Sequence, residues 1–131
     1  MPRVGASRMG DRAAVSTLPP READSTRVWR EQMIALGARI DPRETMIVAG
    51  DLNASPFARS YRALAARGLR GAHESVGRGL ATTWPNGMMP FPPMRLDHVL
   101  VSPSIAVRSA REGRGAGSDH RPVIVDLTIE G

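Results

Sequence analysis

Cysteine and lysine are both absent from the 131 residues. Without cysteine the chain forms neither disulfides nor thiolate metal sites, so a bound metal would need oxygen or imidazole ligands. No apolar run reaches the roughly 18 residues that a membrane-spanning helix needs, and no membrane span is expected. Aromatic residues are few, with two Trp, one Tyr and two Phe, so the core must rely mainly on aliphatic side chains and Met.

All 18 basic residues are arginine, and against 13 acidic residues they give a formal net charge of +5. Arginine attracts phosphate, because its planar guanidinium binds two phosphate oxygens at once. The arginines are scattered along the chain and form no short basic run. A phosphate-binding surface and a simple compositional bias both explain this pattern.

Apolar spacing predicts a mixed α/β (α+β) chain. In the first helix one apolar stripe is expected, and Asp24 or Ser25 would cap it. In the second, Ser55 would be the cap, Pro56 the first turn and Gly68 the end. The stripes comprise Trp29, Met33, Leu36 and Ile40, then Phe57, Tyr61 and Leu64. The predicted strands are 13–17, 45–50, 96–102, 105–110 and 122–129, and the predicted helices are 26–39 and 55–68.

The remaining segments are predicted to be irregular. Residues 1–12 are interpreted as a loose amino terminus, and residues 13–131 as one domain. Residues 77–93 are rich in Gly, Pro and Met and predict a long loop, a kind of segment that is often functional. His73 has no polar partner nearby in sequence and is expected at the surface.

Three polar clusters each stand beside an apolar strand. Strand ends can hold charged groups in a shared cleft, and carboxylate oxygens suit hard cations such as Mg²⁺. Each cluster also has an ordinary explanation: an Asx-turn, a satisfied polar group with a packed histidine on the opposite strand face, or a turn after a Gly run. The clusters are Asp51 with Asn53, Asp97 with His98, and Ser118 with Asp119 and His120.

Taken together, these clusters resemble a known set of motifs. Residues 50–56 (GDLNASP) resemble the GDxN motif of the endonuclease/exonuclease/phosphatase superfamily, which includes deoxyribonuclease-I-like nucleases and inositol-phosphate phosphatases. Residues 95–102 (RLDHVLVS) resemble its penultimate motif, and residues 117–123 (GSDHRPV) resemble its terminal SDHxP motif. The resemblance extends over about residues 15–128. It implies part of a four-layer α/β/β/α sandwich, of which this chain would be the carboxyl-terminal half.

The resemblance also implies a role for each motif residue. Asp51 would orient or deprotonate the attacking water, and Asn53 would hydrogen-bond the scissile phosphate. Asp119 would hold the metal, Mg²⁺ or Mn²⁺. His120 would contact the phosphate or act as base, with Asp97 accepting its other ring N–H. The implied substrate is a phosphate ester, either nucleic acid or a lipid or inositol phosphate.

Residues 83–85 (TWP) resemble a segment that precedes the penultimate motif in some bacterial members. Packing of Trp84 beneath the long loop is the favoured explanation. A substrate-facing position for Trp84 is the alternative.

The sequence departs from the family pattern near its beginning. Ser16 stands where members often carry His, and no counterpart is found for an early Asn or for a metal-binding Glu on an apolar strand. We therefore expect an amino-terminal half to be missing, an apolar sheet face to be exposed, and activity of this chain alone to be weak or absent. An arginine-rich nucleic-acid-binding module and a non-functional remnant are the alternatives to a hydrolase.

Overall fold

A computed structural model of the chain describes residues 12–15 and 25–129. The described chain mixes helices and strands, as predicted. In chain order the elements are β1 (Arg12–Val15), α1 (Ser25–Ala38), β2 (Met46–Asp51), α2 (Arg59–Ala65), β3 (Arg70–Gly71), α3 (Ala72–Ser75), β4 (Asp97–Val101), β5 (Ile105–Glu112) and β6 (Val123–Ile129).

The strands form two sheets. The larger sheet has the order β1-β2-β4-β3, with β1 parallel to β2 and with β4 antiparallel to both β2 and β3. The strands β5 and β6 form a separate antiparallel pair. This pair contacts the larger sheet through β6 and β4, while α3 packs against β4 and β5. The site residues of the three motifs therefore sit where the two sheets approach each other.

The helices α1 and α2 pack against the larger sheet and bury its apolar side chains. Side chains alternate between the two faces of a strand, and Met46 and Val48 of β2 are accordingly buried while Ile47 between them is partly exposed. Burying one such aliphatic side chain contributes about 1.5–3 kcal/mol. The core joins α1, α2, β2 and β4 and consists of Trp29, Met33, Ile40, Met46, Val48, Leu52, Ala54, Tyr61, Leu64, Leu69 and Leu100.

The second helix begins later than the sequence predicts. Ser55 does not cap it: its carbonyl accepts a 3.0 Å hydrogen bond from the N–H of Ala58, which closes a separate turn before Arg59. Phe57 lies in that turn and is 72% exposed, so its predicted place on the apolar stripe is wrong. The helix ends at Ala65 with Ala66 as its C-cap, so Gly68 lies two residues beyond the cap instead of directly after it, although its φ of 110° favours glycine.

The prediction that His73 lies at the surface is wrong. Its side chain is 1% exposed, because the short strand β3 pairs with β4 and carries α3 inward against β5. The Nε2 atom of His73 lies 3.6 Å from a carboxylate oxygen of Glu112. Neither β3 nor α3 was predicted, since segments of two and four residues are too short to show a period.

Other expectations agree with the described residues or fall outside them. The segment 77–93 is irregular, as predicted, apart from a bridge between Trp84 and Met94. The first strand begins at Arg12. Residues 1–11 and 16–24 are outside the described part, and with them the predicted loose terminus, Ser16 and the cap at Asp24. Within the described residues, no helix combines the length and the apolarity that membrane crossing requires.

Candidate active site

The register of β2 against β4 brings the first two motifs together. Asp51 lies directly opposite Asp97, and Gly50 lies opposite His98. Directly opposite residues in an antiparallel pair share a face, so the two aspartates stand side by side at one end of the sheet. His98 points to the other face and is 2% exposed, in agreement with its predicted packing position.

The loop after β2 folds back onto Asp51. Asn53 adopts a φ of 48°, a left-handed conformation that Asn tolerates better than most residues. Its N–H donates a 2.8 Å hydrogen bond to Oδ1 of Asp51, so the Asx-turn predicted as the ordinary explanation is present. Because the turn occupies Oδ1, the second oxygen of Asp51 remains the one directed at His120, 3.7 Å away.

Two buried aromatic side chains hold the backbone on either side of Asn53. The indole N–H of Trp29 donates to the carbonyl of Leu52 at 2.9 Å. The Nε2 atom of His98 lies 2.6 Å from the carbonyl of Ala54. A carbonyl only accepts, so we assign the proton of His98 to Nε2. The loop is therefore anchored to the core at both ends.

His120 lies between the two strand-end aspartates. Its Nδ1 is 2.6 Å from Oδ2 of Asp97, and its Nε2 is 3.7 Å from Oδ2 of Asp51. The contact to Asp97 assigns a proton to Nδ1 and leaves Nε2 to exchange a proton. Burial by itself lowers the pKa of His120, but the hydrogen bond to Asp97 and the charges of the nearby carboxylates outweigh burial and raise it.

The pKa of Asp51 is also raised. Burial is the largest cause, and the negative charges of Asp97 and Asp119 raise it further. The Asn53 N–H and the charge of His120 act in the opposite direction without cancelling the effect. Carboxylates that repel one another in this way make a site that attracts a cation.

The long loop reaches the third motif through Trp84 and Asn86. The indole N–H of Trp84 donates to Oδ2 of Asp119 at 3.4 Å, and its ring lies 5.5 Å from that of Phe91. The N–H of Asn86 donates to the carbonyl of Asp119 at 2.6 Å. Trp84 thus packs within the loop, as favoured, and a substrate-facing position for Trp84 stays a prediction.

Thr83 is a site-supporting residue that the sequence analysis missed. It is fully buried, and its hydroxyl accepts hydrogen bonds from the N–H groups of Leu96 at 3.0 Å and Asp97 at 3.2 Å. Its carbonyl accepts from the N–H of Arg121 at 2.8 Å. Thr83 therefore ties the start of β4 to the turn that carries His120, and its place in the TWP segment was the available signal.

The donor atoms of Asp51, Asp97 and His120 lie within 4.8 Å of one another, close enough to hold a metal ion. Two carboxylates suit Mg²⁺ and Mn²⁺, and the absence of thiolates agrees with a hard cation. The close contact between Asp97 and His120 already engages one atom of each. Asp119 is not in this group, although its charge acts on Asp51.

A comparison with family models identifies the chain. The model described as the Endonuclease/Exonuclease/phosphatase family matches residues 3–120. The chain belongs to this endonuclease/exonuclease/phosphatase family. This match begins at residue 3, whereas the motif resemblance extends over about residues 15–128. The division into a loose terminus, residues 1–12, and a domain, residues 13–131, stays a prediction. A comparison with curated protein sequences gives no match.

Solved structures of other proteins share the endonuclease/exonuclease/phosphatase fold with this chain. An AP endonuclease from Archaeoglobus fulgidus is 14% identical with a TM-score of 0.71, and the alignment covers 91% of this chain and 62% of that one. The human nocturnin catalytic domain is 24% identical with a TM-score of 0.66, covering 90% and 47%. A mannosyl-6-phosphatase from Bacteroides thetaiotaomicron is 28% identical with a TM-score of 0.50, covering 81% and 45%.

These likenesses confirm the predicted fold class, part of a deoxyribonuclease-I-like α/β/β/α sandwich. The chain spans between 34% and 46% of the length of four of the matched structures.

Proposed function

We propose that this chain carries the carboxyl-terminal part of a metal-dependent hydrolase site for phosphate esters. The observation that carries the proposal is the position of His120 between Asp97 and Asp51, at 2.6 and 3.7 Å. A carboxylate on one ring nitrogen fixes the imidazole and raises its basicity, while the other nitrogen stays available to a reactant. Family membership supports the same reading.

Asp51 and Asp119 are the residues that we propose to hold the cation, with Mg²⁺ or Mn²⁺ as the ion. Both carry carboxylates, and the charge of Asp119 already acts on Asp51. Asp97 is better suited to orienting His120, because its Oδ2 makes the shorter contact. When bound, the cation would neutralise charge on the phosphate and lower the pKa of a water molecule.

The remaining steps belong to side chains of this chain. Oδ2 of Asp51 or Nε2 of His120 accepts the proton of the attacking water, and Nε2 of protonated His120 can donate to a phosphate oxygen. The carboxamide of Asn53 supplies N–H donors to the phosphate. The raised pKa of His120 shifts the imidazole toward its protonated form, in which Nε2 is a donor.

We expect this chain alone to turn substrate over slowly. The described residues offer few free oxygen ligands, since Asp97 and His120 bind each other and Oδ1 of Asp51 accepts from Asn53. A cation held by one or two carboxylates and otherwise by water is bound weakly. Weak binding predicts a high metal requirement and a low rate.

The test is hydrolysis of bis(p-nitrophenyl) phosphate and p-nitrophenyl phosphate with Mg²⁺ or Mn²⁺, over long incubations. We expect slow metal-dependent release that Asp51→Asn and His120→Gln each lower by about 100-fold or more, as for loss of general acid–base catalysis. The matched control is Glu31→Gln, a charge removed from an exposed position of α1. Release that persists in EDTA, or that both variants retain, would overturn the proposal.

A further inference from the structure

A cavity of about 640 Å³ opens beside the candidate active site. Its lining includes Arg111 at the end of β5, Arg114 in the connection between β5 and β6, and Arg121 next to His120. Asn86 of the long loop closes one side. We refer to this cavity as the arginine pocket.

The arginine pocket has an unbalanced positive charge. Its three arginines are exposed, and among the described residues none of them forms a salt bridge. The lining also contains the carboxylate of Glu112, but this group is 8% exposed and already pairs with Arg78 at 2.6 and 3.2 Å. The charge of Glu112 is therefore largely neutralised within the protein.

The wall of the arginine pocket is built onto the turn that carries His120. The side-chain amide of Asn86 donates to the carbonyls of Gly115 at 3.1 Å and Ser118 at 2.9 Å. The backbone at Gly115 is so close that an added Cβ would lie 2.5 Å from the carbonyl oxygen of His120. The arginine pocket and the turn that carries His120 thus share one packed segment of backbone.

We propose that the arginine pocket binds a second phosphate of the substrate, next to the scissile phosphate. The inference rests on the proposed function and names its substrate class: esters that carry at least two phosphates. Guanidinium groups offer planar pairs of N–H donors that match phosphate oxygens, and three of them around one cavity favour a multiply charged anion over a single phosphate. A nucleic-acid strand and a polyphosphorylated small molecule share this chemistry.

Binding in EDTA tests the pocket without requiring turnover. The probes are inorganic tripolyphosphate, tetrathymidylate and inorganic phosphate, titrated into the whole chain and into Arg111→Gln and Arg114→Gln. We expect tripolyphosphate or tetrathymidylate to bind more tightly than phosphate, and each variant to weaken that binding by about tenfold or more, as for loss of a hydrogen bond to a charged group. The matched control is Arg67→Gln, an exposed arginine that lines a different cavity between α1 and α2.

The two probes distinguish the sources of the second phosphate. Tighter arginine-dependent binding of tetrathymidylate, with a salt dependence that falls in the variants, assigns a nucleic-acid strand. Tighter binding of tripolyphosphate assigns a small polyphosphorylated ester. If Arg111→Gln and Arg114→Gln bind these probes as tightly as Arg67→Gln does, the proposed phosphate site in the arginine pocket is wrong.

A kinetic comparison separates this inference from the proposed function. If metal-dependent hydrolysis is found, the arginine variants should raise KM for a substrate with a second phosphate and leave KM for p-nitrophenyl phosphate unchanged. If the variants hydrolyse both substrates with the KM values of wild type, the inferred role of the arginine pocket is wrong and the proposed hydrolase function stands. If the arginines are needed for binding but no hydrolysis is found, the proposed hydrolase function is wrong and the arginine pocket is an anion-binding site only.

Discussion

At the scale of single residues, the histidines show how neighbours set the behaviour of one side-chain type. His120 stands among carboxylates, which raise its pKa despite burial. His98 and His73 are buried, and burial together with the charge of Arg95 lowers the pKa of each. The pKa of His120 is therefore shifted toward the protonated form, whereas the shifts of His98 and His73 favour their neutral forms.

The buried imidazole of His98 predicts acid sensitivity. Burial is the main cause that lowers its pKa from 6.5 to about 4. Because the folded pKa lies below the unfolded value, the unfolded chain binds the proton first as pH falls. The stability that neutral His98 contributes is therefore fully present above about pH 6.5 and is lost as the pH falls from there toward 4. His98→Gln removes this dependence, and we expect wild type to lose about 2 kcal/mol more than the variant between pH 7 and pH 4.5.

Urea unfolding at both pH values measures the difference. The comparison with His98→Gln is needed because His73 shifts in the same direction and His120 in the opposite one. Glutamine retains a donor for the carbonyl of Ala54. An identical loss of stability in the two proteins would show that His98 is already protonated in the fold, or does not titrate in this range.

The candidate site residues could be predicted from sequence because each motif is local. Asp51 and Asn53 are two positions apart, and the chain between them makes its own turn. Thr83 and Asn86 act through backbone groups more than ten residues away in sequence, so the TWP segment could point to Thr83 but not to its partners. A polar residue in an irregular loop carries no period that would reveal such partners.

At the scale of elements, the connection between β5 and β6 depends on close backbone contacts. Gly113 donates its N–H to the carbonyl of Pro122 at 2.8 Å. At Gly115 an added Cβ would lie 2.2 Å from Nδ2 of Asn86 and 2.5 Å from the carbonyl oxygen of His120. The second of these atoms is backbone and cannot move aside cheaply. Glycine at this position is therefore required by space rather than by conformation.

Gly115→Ala should destabilise the chain by about 1–3 kcal/mol, the usual range for overpacking. The control is Gly79→Ala, where the nearest neighbour, Cγ of Glu74, is 3.9 Å from the added Cβ. Gly79→Ala should be neutral or slightly stabilising, by up to about 1 kcal/mol. Thermal or urea unfolding of the two variants checks both values. Equal stability of the two would contradict the close packing at Gly115.

The long elements could be predicted from apolar spacing, and the short ones could not. The helix α1 and the strands β2, β4 and β6 were placed within two residues of their observed ends. The predicted start of α2 is wrong because Ser55 and Pro56 resemble a cap and first turn, whereas the carbonyl of Ser55 closes a separate turn with the N–H of Ala58.

At the scale of the whole molecule, the second sheet is incompletely covered. None of the seven residues of β6 is fully buried, although the strand is largely apolar. Ile129 at its end is 44% exposed. Partial burial of this kind is not an exposed apolar face, and the expectation that the chain alone exposes one stays a prediction. The sequence predicted this from the resemblance rather than from any local pattern.

We propose that distant parts of the chain bring Asp51, Asp97, Asp119 and His120 into one site, in which Asp51 and Asp119 hold the cation and Asp97 orients His120. Titration of the whole chain with Mn²⁺, followed by the electron paramagnetic resonance signal of free Mn²⁺, tests it most directly. We predict saturable binding that Asp51→Asn weakens by about tenfold or more, while Glu31→Gln binds as wild type does. Absence of saturable binding, or equal binding by Asp51→Asn, would contradict the account.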